Sequence, residues 1–183
     1  ASVAPGTGLT TLPFNPAIDN RSVQAVEVSP DGAAVVVAGN FTSVGGSSNP
    51  GYGLARFDAA TGELLSLPAN TQIRNAGDES AFLSLSKDDK NFYGTGYHFG
   101  DGGNVEGVYA VSWEDGTLQW VEDCHGDSYG VTPFEDAVYV ASHKHYCGNS
   151  GGFPQTNPWR VNRGSALTKT ATGTNIPDIY GYE

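Results

Sequence analysis

Apolar residues along this chain come in short runs that alternate with polar ones and are cut by clusters of Gly, Asp, Asn, Ser and Pro. The alternation has a period of two, the signature of half-buried strands, and no stretch sustains the three-to-four residue period of an amphipathic helix. Strands are predicted over 23–28, 35–41, 52–58, 82–87, 92–97, 108–112, 129–135, 137–143 and 165–171. Val35-Val36-Val37-Ala38-Gly39 is apolar on both faces, as expected of an interior strand covered on two sides. Ser29-Pro30-Asp31-Gly32 reads as a turn in which Pro presets φ and Gly accepts a positive one. Residues 1–22 carry Pro5, Pro13 and Pro16 with little alternation, so they are read as an extended arm with one short strand near Leu12 to Phe14.

The strand pattern repeats. A hairpin, a further strand and a D-x-x-T-G-like turn recur, with the turn glycines Gly62, Gly116 and Gly173 about 55 residues apart, the length of one large propeller blade or similar β unit. The repeats span about 23–70, 81–121 and 126–174 within a domain of 23–183. Their equivalent loops, 45–51, 100–104 and 148–158, are predicted to share one face of the array, where binding is expected. The expected fold is therefore all-β and β-propeller-like, with about three blade repeats. A closed propeller has four to eight. The chain is accordingly expected to be a partial propeller, completed by further sequence or by other copies, or an open array with covered ends. The start at Ala1 and the stop at Gly181-Tyr182-Glu183 favour an excerpt of a longer chain.

Ala38-Gly39-Asn40-Phe41-Thr42-Ser43-Val44-Gly45-Gly46, followed by Leu54-Ala55-Arg56-Phe57-Asp58-Ala59-Ala60-Thr61-Gly62, resembles the G-x-F-x-x-V-x-G … L-A-x-x-D-x-x-T-G repeat of secreted β-propeller proteins of actinobacteria and of tail proteins of their phages. Val121 to Tyr129 together with His143 to Thr156 is similar to a subset of that group. The likeness runs from about Val23 to Trp159. It implies surface exposure and binding rather than a reaction, often in longer chains with adhesion-like modules.

Twenty acidic residues against nine basic ones in 183 give a formal charge of −11, which argues against a nucleic-acid partner. No apolar run approaches the ~20 residues that cross a bilayer as a helix, so membrane insertion is not expected. Low lysine, high Ser, Thr, Gly and Asn content and the absence of Met fit a secreted protein. In that setting Cys124 and Cys147 are expected to form a disulfide.

Three of the four histidines lie beside these cysteines. On a strand His143 and His145 point to one face, a spacing that suits a divalent metal. His125 and Asp127 (or Asp123) complete a candidate metal set, weighed against histidines that bond loop carbonyls or frame a cleft. Oxygen-rich loops at 78–80, 87–89 and 100–106 raise calcium as another ion, although none has the spacing of a calcium hand. No cofactor is otherwise expected. Asp123 and Asp127 are a carboxylate pair of the type used in glycoside hydrolysis, but no G-x-S-x-G, P-loop or H-E-x-x-H motif is present. Aromatic rings near loops and strand ends, flanked by Asn, Asp and Gly, suit sugar stacking. Tyr97, Tyr146, Phe153 and Trp159, with Asn149, are the candidate ligand contacts, and Trp113 and Trp120 are assigned to the core.

The leading expectation is a non-enzymatic binding or adhesion module, extracellular or on a virion surface. It would recognise a cell-surface glycan or protein through loops held ready by the disulfide. The alternatives are a structural component of a phage tail or surface assembly that self-associates through exposed sheet edges, and a metal-dependent hydrolase using the histidines.

Overall fold

The computed structural model describes residues 2–3, 11–147 and 163–169. Among the described residues the fold is all-β with one short 3-10 helix, and the strands form three main antiparallel sheets of four, four and three strands. The first sheet runs in chain order through β3 (Val23–Val28), β4 (Ala34–Gly39), β5 (Leu54–Asp58) and β6 (Leu64–Leu65). The second contains β7 (Ser80–Lys87), β8 (Asn91–His98), β9 (Val108–Ser112) and β10 (Leu118–Glu122). The third contains β11 (Ser128–Phe134), β12 (Ala137–Ser142) and β13 (Arg163–Thr168). A small ribbon pairs β1 (Ser2–Val3) with β2 (Thr11–Leu12), close to the short strand expected in the arm. The outer strands β6 and β10, which follow the turns at Gly62 and Gly116, were not singled out by the apolar pattern. The sheets do not close into a barrel among the described residues.

Alternation decides how the sheets stack, because successive side chains leave a strand on opposite faces. In β8, Phe92 joins an apolar layer with Val36, Ala38 and Leu54 of the first sheet. Its neighbour Tyr93 joins a second layer with Val131, Val138 and Val140 of the third. The same split separates Tyr109 and Val111 from Val108 and Ala110 in β9. The middle sheet is thus buried on both faces. The far face of the first sheet, from Val35, Val37, Ala55 and Phe57, is covered by the arm, with Phe14 edge-on to Phe57 at 6.2 Å and Ile18 beside it. β4 is consequently buried along its whole length, as its two-sided apolar sequence predicted. The far face of the third sheet, carrying Phe134 and Tyr139, is exposed.

Trp113 and Trp120 are core residues, 6% and 5% exposed. Trp113 packs on Phe92 at 4.9 Å and Trp120 on Tyr93 at 6.0 Å. The turns at Gly62 and Gly116 share one construction. Each glycine has a positive φ and donates its N–H to the residue four positions back, Asp58 or Ser112. The third turn glycine, Gly173, lies outside the described residues.

Between the first and second sheets runs the connector 66–79, with a 3-10 turn at Pro68–Thr71. Two fully buried asparagines replace the ladder bonds that this irregular stretch lacks. Asn70 accepts from the N–H of Gly51 and Tyr52 and donates to the carbonyls of Tyr52 and Ile73. Asn75 accepts from Asn104 and Val105 and donates to the carbonyls of Ala81, Tyr97 and Val105. Gly53 sits so close to this strand of backbone that a Cβ there would lie 1.7 Å from the Asn75 carbonyl. Replacing Asn75 by Ala strands several buried polar groups, each costing about 1–3 kcal/mol. Urea unfolding of Asn75→Ala is expected to show a loss of about 3 kcal/mol or more, and wild-type stability would refute this role.

Candidate functional site

Those of the residues predicted to carry function that are described gather at one end of the stack, where β8 ends, β11 begins and the hairpin of β11 and β12 is prolonged beyond its ladder. His143 donates its N–H to the Asp127 carbonyl and His145 donates to the His125 carbonyl. His125 and Tyr146 form an antiparallel bridge. Cys124 and Cys147 close this extension with the expected disulfide, their Cα atoms 4.4 Å apart. Residues 143–146 thus still alternate as a strand would. His143 and His145 lie on one face with rings stacked at 6.5 Å, and Lys144 turns inward.

Lys144 is 2% exposed, and burying an ammonium without a counter-charge is costly. Its Nζ lies 2.5 Å from Glu122 Oε2 and 3.2 Å from Ser165 Oγ, so one ion pair ties β10 and β13 to the disulfide loop. Burial raises the Glu122 pKa, and the Lys144 charge opposes that rise.

On the other side of the hairpin extension the rings form a series. Tyr129 is 5.7 Å from His143, His143 is 6.5 Å from His145, His145 is 6.3 Å from His125, and His125 is 5.3 Å from Tyr146. Asp127 sits at one end of it, with Oδ2 3.1 Å from His143 Nε2 and 3.4 Å from the Tyr129 hydroxyl. Tyr97 stacks on the exposed ring of Phe99 at 5.5 Å. Burial raises the Tyr97 pKa and the Asp127 charge adds to the effect, which places this second ring pair within the field of the same carboxylate.

Below the rings lies an acidic group. Glu106 is 2% exposed, and its N–H donates to Asp123 Oδ1 at 2.6 Å. Its Oε1 is buried without a hydrogen-bond partner. Burial, with the charges of Asp127 and Asp123, pushes its pKa up to about 8 against a backbone hydrogen bond from Gly126. Glu106 is therefore a neutral acid at pH 7, next to a carboxylate that faces a histidine.

Of the predicted ligand contacts, Tyr97 and Tyr146 are half-buried at this end, and Asn149, Phe153 and Trp159 lie outside the described residues. Of the predicted metal ligands, His125, His143, His145 and Asp127 are neighbours. Among the described residues, however, the set of three donors within 4.8 Å of one another is Glu122, Cys124 and Cys147. The sulfurs of a disulfide are not free thiolates for a metal. Two carboxylates of the loops considered for calcium have other partners. Asp78 pairs with Arg21. Asp88 is held at about 2: burial works to raise it, but the N–H groups of Asn91 and Lys90, the Tyr93 hydroxyl and Lys169 outweigh that.

Glu106 entered the sequence reading only as part of an oxygen-rich loop, and Tyr129 only as the start of a strand. Nothing local marks either one. The raised Glu106 pKa comes from burial and from Asp127 and Asp123 across the fold, and Asn75 holds the neighbouring backbone of Asn104 and Val105. Among the described residues no helix is long and apolar enough to cross a membrane. No protein-family model matches the chain, and a search of curated proteins finds no match.

Because the folded-state pKa of Glu106 is raised above 4.5, its contribution to stability is fully present below pH 4.5 and is lost as pH rises through about 8. Denaturant unfolding at pH 5 and pH 8 is expected to show a fall of roughly 3–5 kcal/mol that Glu106→Gln largely removes. An unchanged slope in that variant would contradict the assignment. The disulfide closes a loop with a sequence separation of 23, so replacing both cysteines by Ser is expected to cost about 3 kcal/mol, read as a lower urea midpoint with an m-value that is equal or larger because the unfolded chain is less compact.

Proposed function

We propose that this chain is a β-propeller-type binding module that recognises a glycan or protein partner outside the cell or on a virion surface, through the ring-lined end described above. In this reading each sheet is one blade and β3, β7 and β11 are the inner strands. It is supported by the side-by-side packing of β3 on β7 and of β7 on β11, and by the matching turns at Gly62 and Gly116.

The observation that carries the binding reading is the aromatic series itself. Tyr129 and Phe99 expose about half of their surface, 47% and 51%. Tyr129 flanks Asp127, and Phe99 stacks on Tyr97, which lies in the field of that carboxylate, so flat apolar faces stand near a hydrogen-bonding carboxylate. That pairing suits a sugar ring, which offers C–H faces for stacking and hydroxyls for hydrogen bonds. The disulfide and the Lys144–Glu122 pair hold these rings before any ligand arrives, which limits the ordering entropy of binding. Screening the protein on a glycan array and then measuring the affinity of the best binder for Tyr97→Ala and Tyr129→Ala tests the reading. Each variant is expected to bind at least about 5-fold more weakly with an unchanged melting temperature, and full binding by both would remove it.

A second reading, a structural part of a larger assembly, draws on the far face of the third sheet. Thr132, Tyr139 and Ala166 stand in one cross-strand row and Gly130, Ala141 and Gly164 in the next. These six outward positions carry no charge, and Phe134 and Tyr139 are 60% and 51% exposed. Concentration-dependent self-association in sedimentation velocity favours this reading over an independent monomeric binder.

A further inference from the structure

The opposite end of the stack holds a cleft of about 560 Å³ between the first and second sheets. Asn91 lines it at the start of β8, and Tyr97 lies near the other end of the same strand. Six residues of strand separate them by about 20 Å, so the cleft is distinct from the ring-lined site. Its volume falls within the range of small-molecule sites.

Its wall contains a cation that no carboxylate among the described residues contacts directly. Arg56 of β5 is on the strand face that carries Leu54 into the core between the two sheets. Its Nη2 donates to the Trp113 carbonyl at 2.6 Å, and its Nε–H is buried without an acceptor. Among the described residues no carboxylate lies within 4.0 Å to pair with it. Burial lowers the Arg56 pKa, with Asp31 and Asp115 attracting it only from a distance. Asp31, which lines the cleft, accepts from the Ser29 hydroxyl at 2.5 Å and the Ala33 N–H at 3.0 Å, and these bonds with the Arg56 charge hold it as a carboxylate. Guanidinium offers five N–H donors and remains charged, so most of its hydrogen-bonding capacity is unused. A second unused donor stands in the same wall: Trp113 is 6% exposed, and its indole N–H has no acceptor.

We propose that this cleft binds a small carboxylate carried on a hydroxylated ring, the uronic-acid class of sugar, with Arg56 pairing the carboxylate. A carboxylate is the partner whose geometry and charge match a guanidinium, and such a bond is stronger than a neutral one. Lys90 adds a second cation at the rim, and Asn91, Ser112 and Gln119 supply hydroxyl and amide groups toward the ring hydroxyls. Asp89 and Glu114 also line the cleft, but both are exposed, where water and salt screen them more than they screen half-buried Arg56.

The test is titration of the whole chain with sodium D-glucuronate and with D-glucose at about 0.15 M salt, followed by calorimetry and by tryptophan fluorescence. Glucuronate is expected to saturate and glucose to bind at least about 10-fold more weakly, with Arg56→Met losing at least about 10-fold in glucuronate affinity. Tyr97→Ala, at the other end, leaves that affinity unchanged. Equal affinity for the two sugars, glucuronate binding by Arg56→Met at wild-type strength, or a loss confined to Tyr97→Ala overturns the proposal. Should Arg56→Met fail to fold by circular dichroism, Lys90→Ala on the rim decides: a several-fold loss for glucuronate alone supports the site, and no loss overturns it.

Discussion

Two buried asparagine side chains hold the first sheet, the second sheet and the loops of one end in a fixed relation. The connector 66–79 has no strand partner along most of its length, so its neighbours' polar backbone groups need acceptors and donors from elsewhere. Asn70 satisfies the 51–52 loop of the first sheet, and Asn75 satisfies the ends of β7 and β8 and the 104–105 loop of the second. A side-chain amide is suited to this because it both donates and accepts. An apolar side chain of similar size would fill the space and leave those backbone groups unpaired in a dry interior. The close approach at Gly53, where a Cβ has no room, is part of the same arrangement.

From that clamp the two ends of the stack acquire different chemistry. At the end held by Asn75, the chain places a neutral Glu106 beside Asp127, and the disulfide and the Lys144–Glu122 pair keep the hairpin extension in strand register. The register is what brings His143, His145, His125 and Tyr146 into contact as rings. At the turn end, the packing of the first sheet on the second leaves Arg56 beside a carbonyl rather than a carboxylate. One end offers aromatic faces beside a carboxylate, and the other offers a guanidinium with no carboxylate in direct contact. Two ends of different polarity thus arise from one stacking arrangement.

Most strands were legible because their alternation or two-sided apolarity is local: β4 read as interior and is buried throughout, and β7, β8, β9, β11 and β12 fall where the pattern put them. β6 was not, because Leu64–Leu65 is too short to alternate and exists only as a partner of β5. The disulfide was legible from an even cysteine pair in an export-like composition. The metal set was proposed on spacing, and spacing did place His143 and His145 on one face. It says nothing of ring orientation, and among the described residues the structure stacks these rings rather than converging three of their donor atoms with Asp127.

The sequence by itself determined the all-β class, the strand period, the turn glycines and the cysteine pair, since each depends on residues within a few positions or on composition. Tertiary structure alone decided which faces are covered, that the Glu106 pKa is raised, that Lys144 is buried and that Arg56 meets a carbonyl rather than a carboxylate. These last properties are electrostatic. They depend on distance and water exclusion between segments far apart in the chain, and no local pattern of residues encodes them.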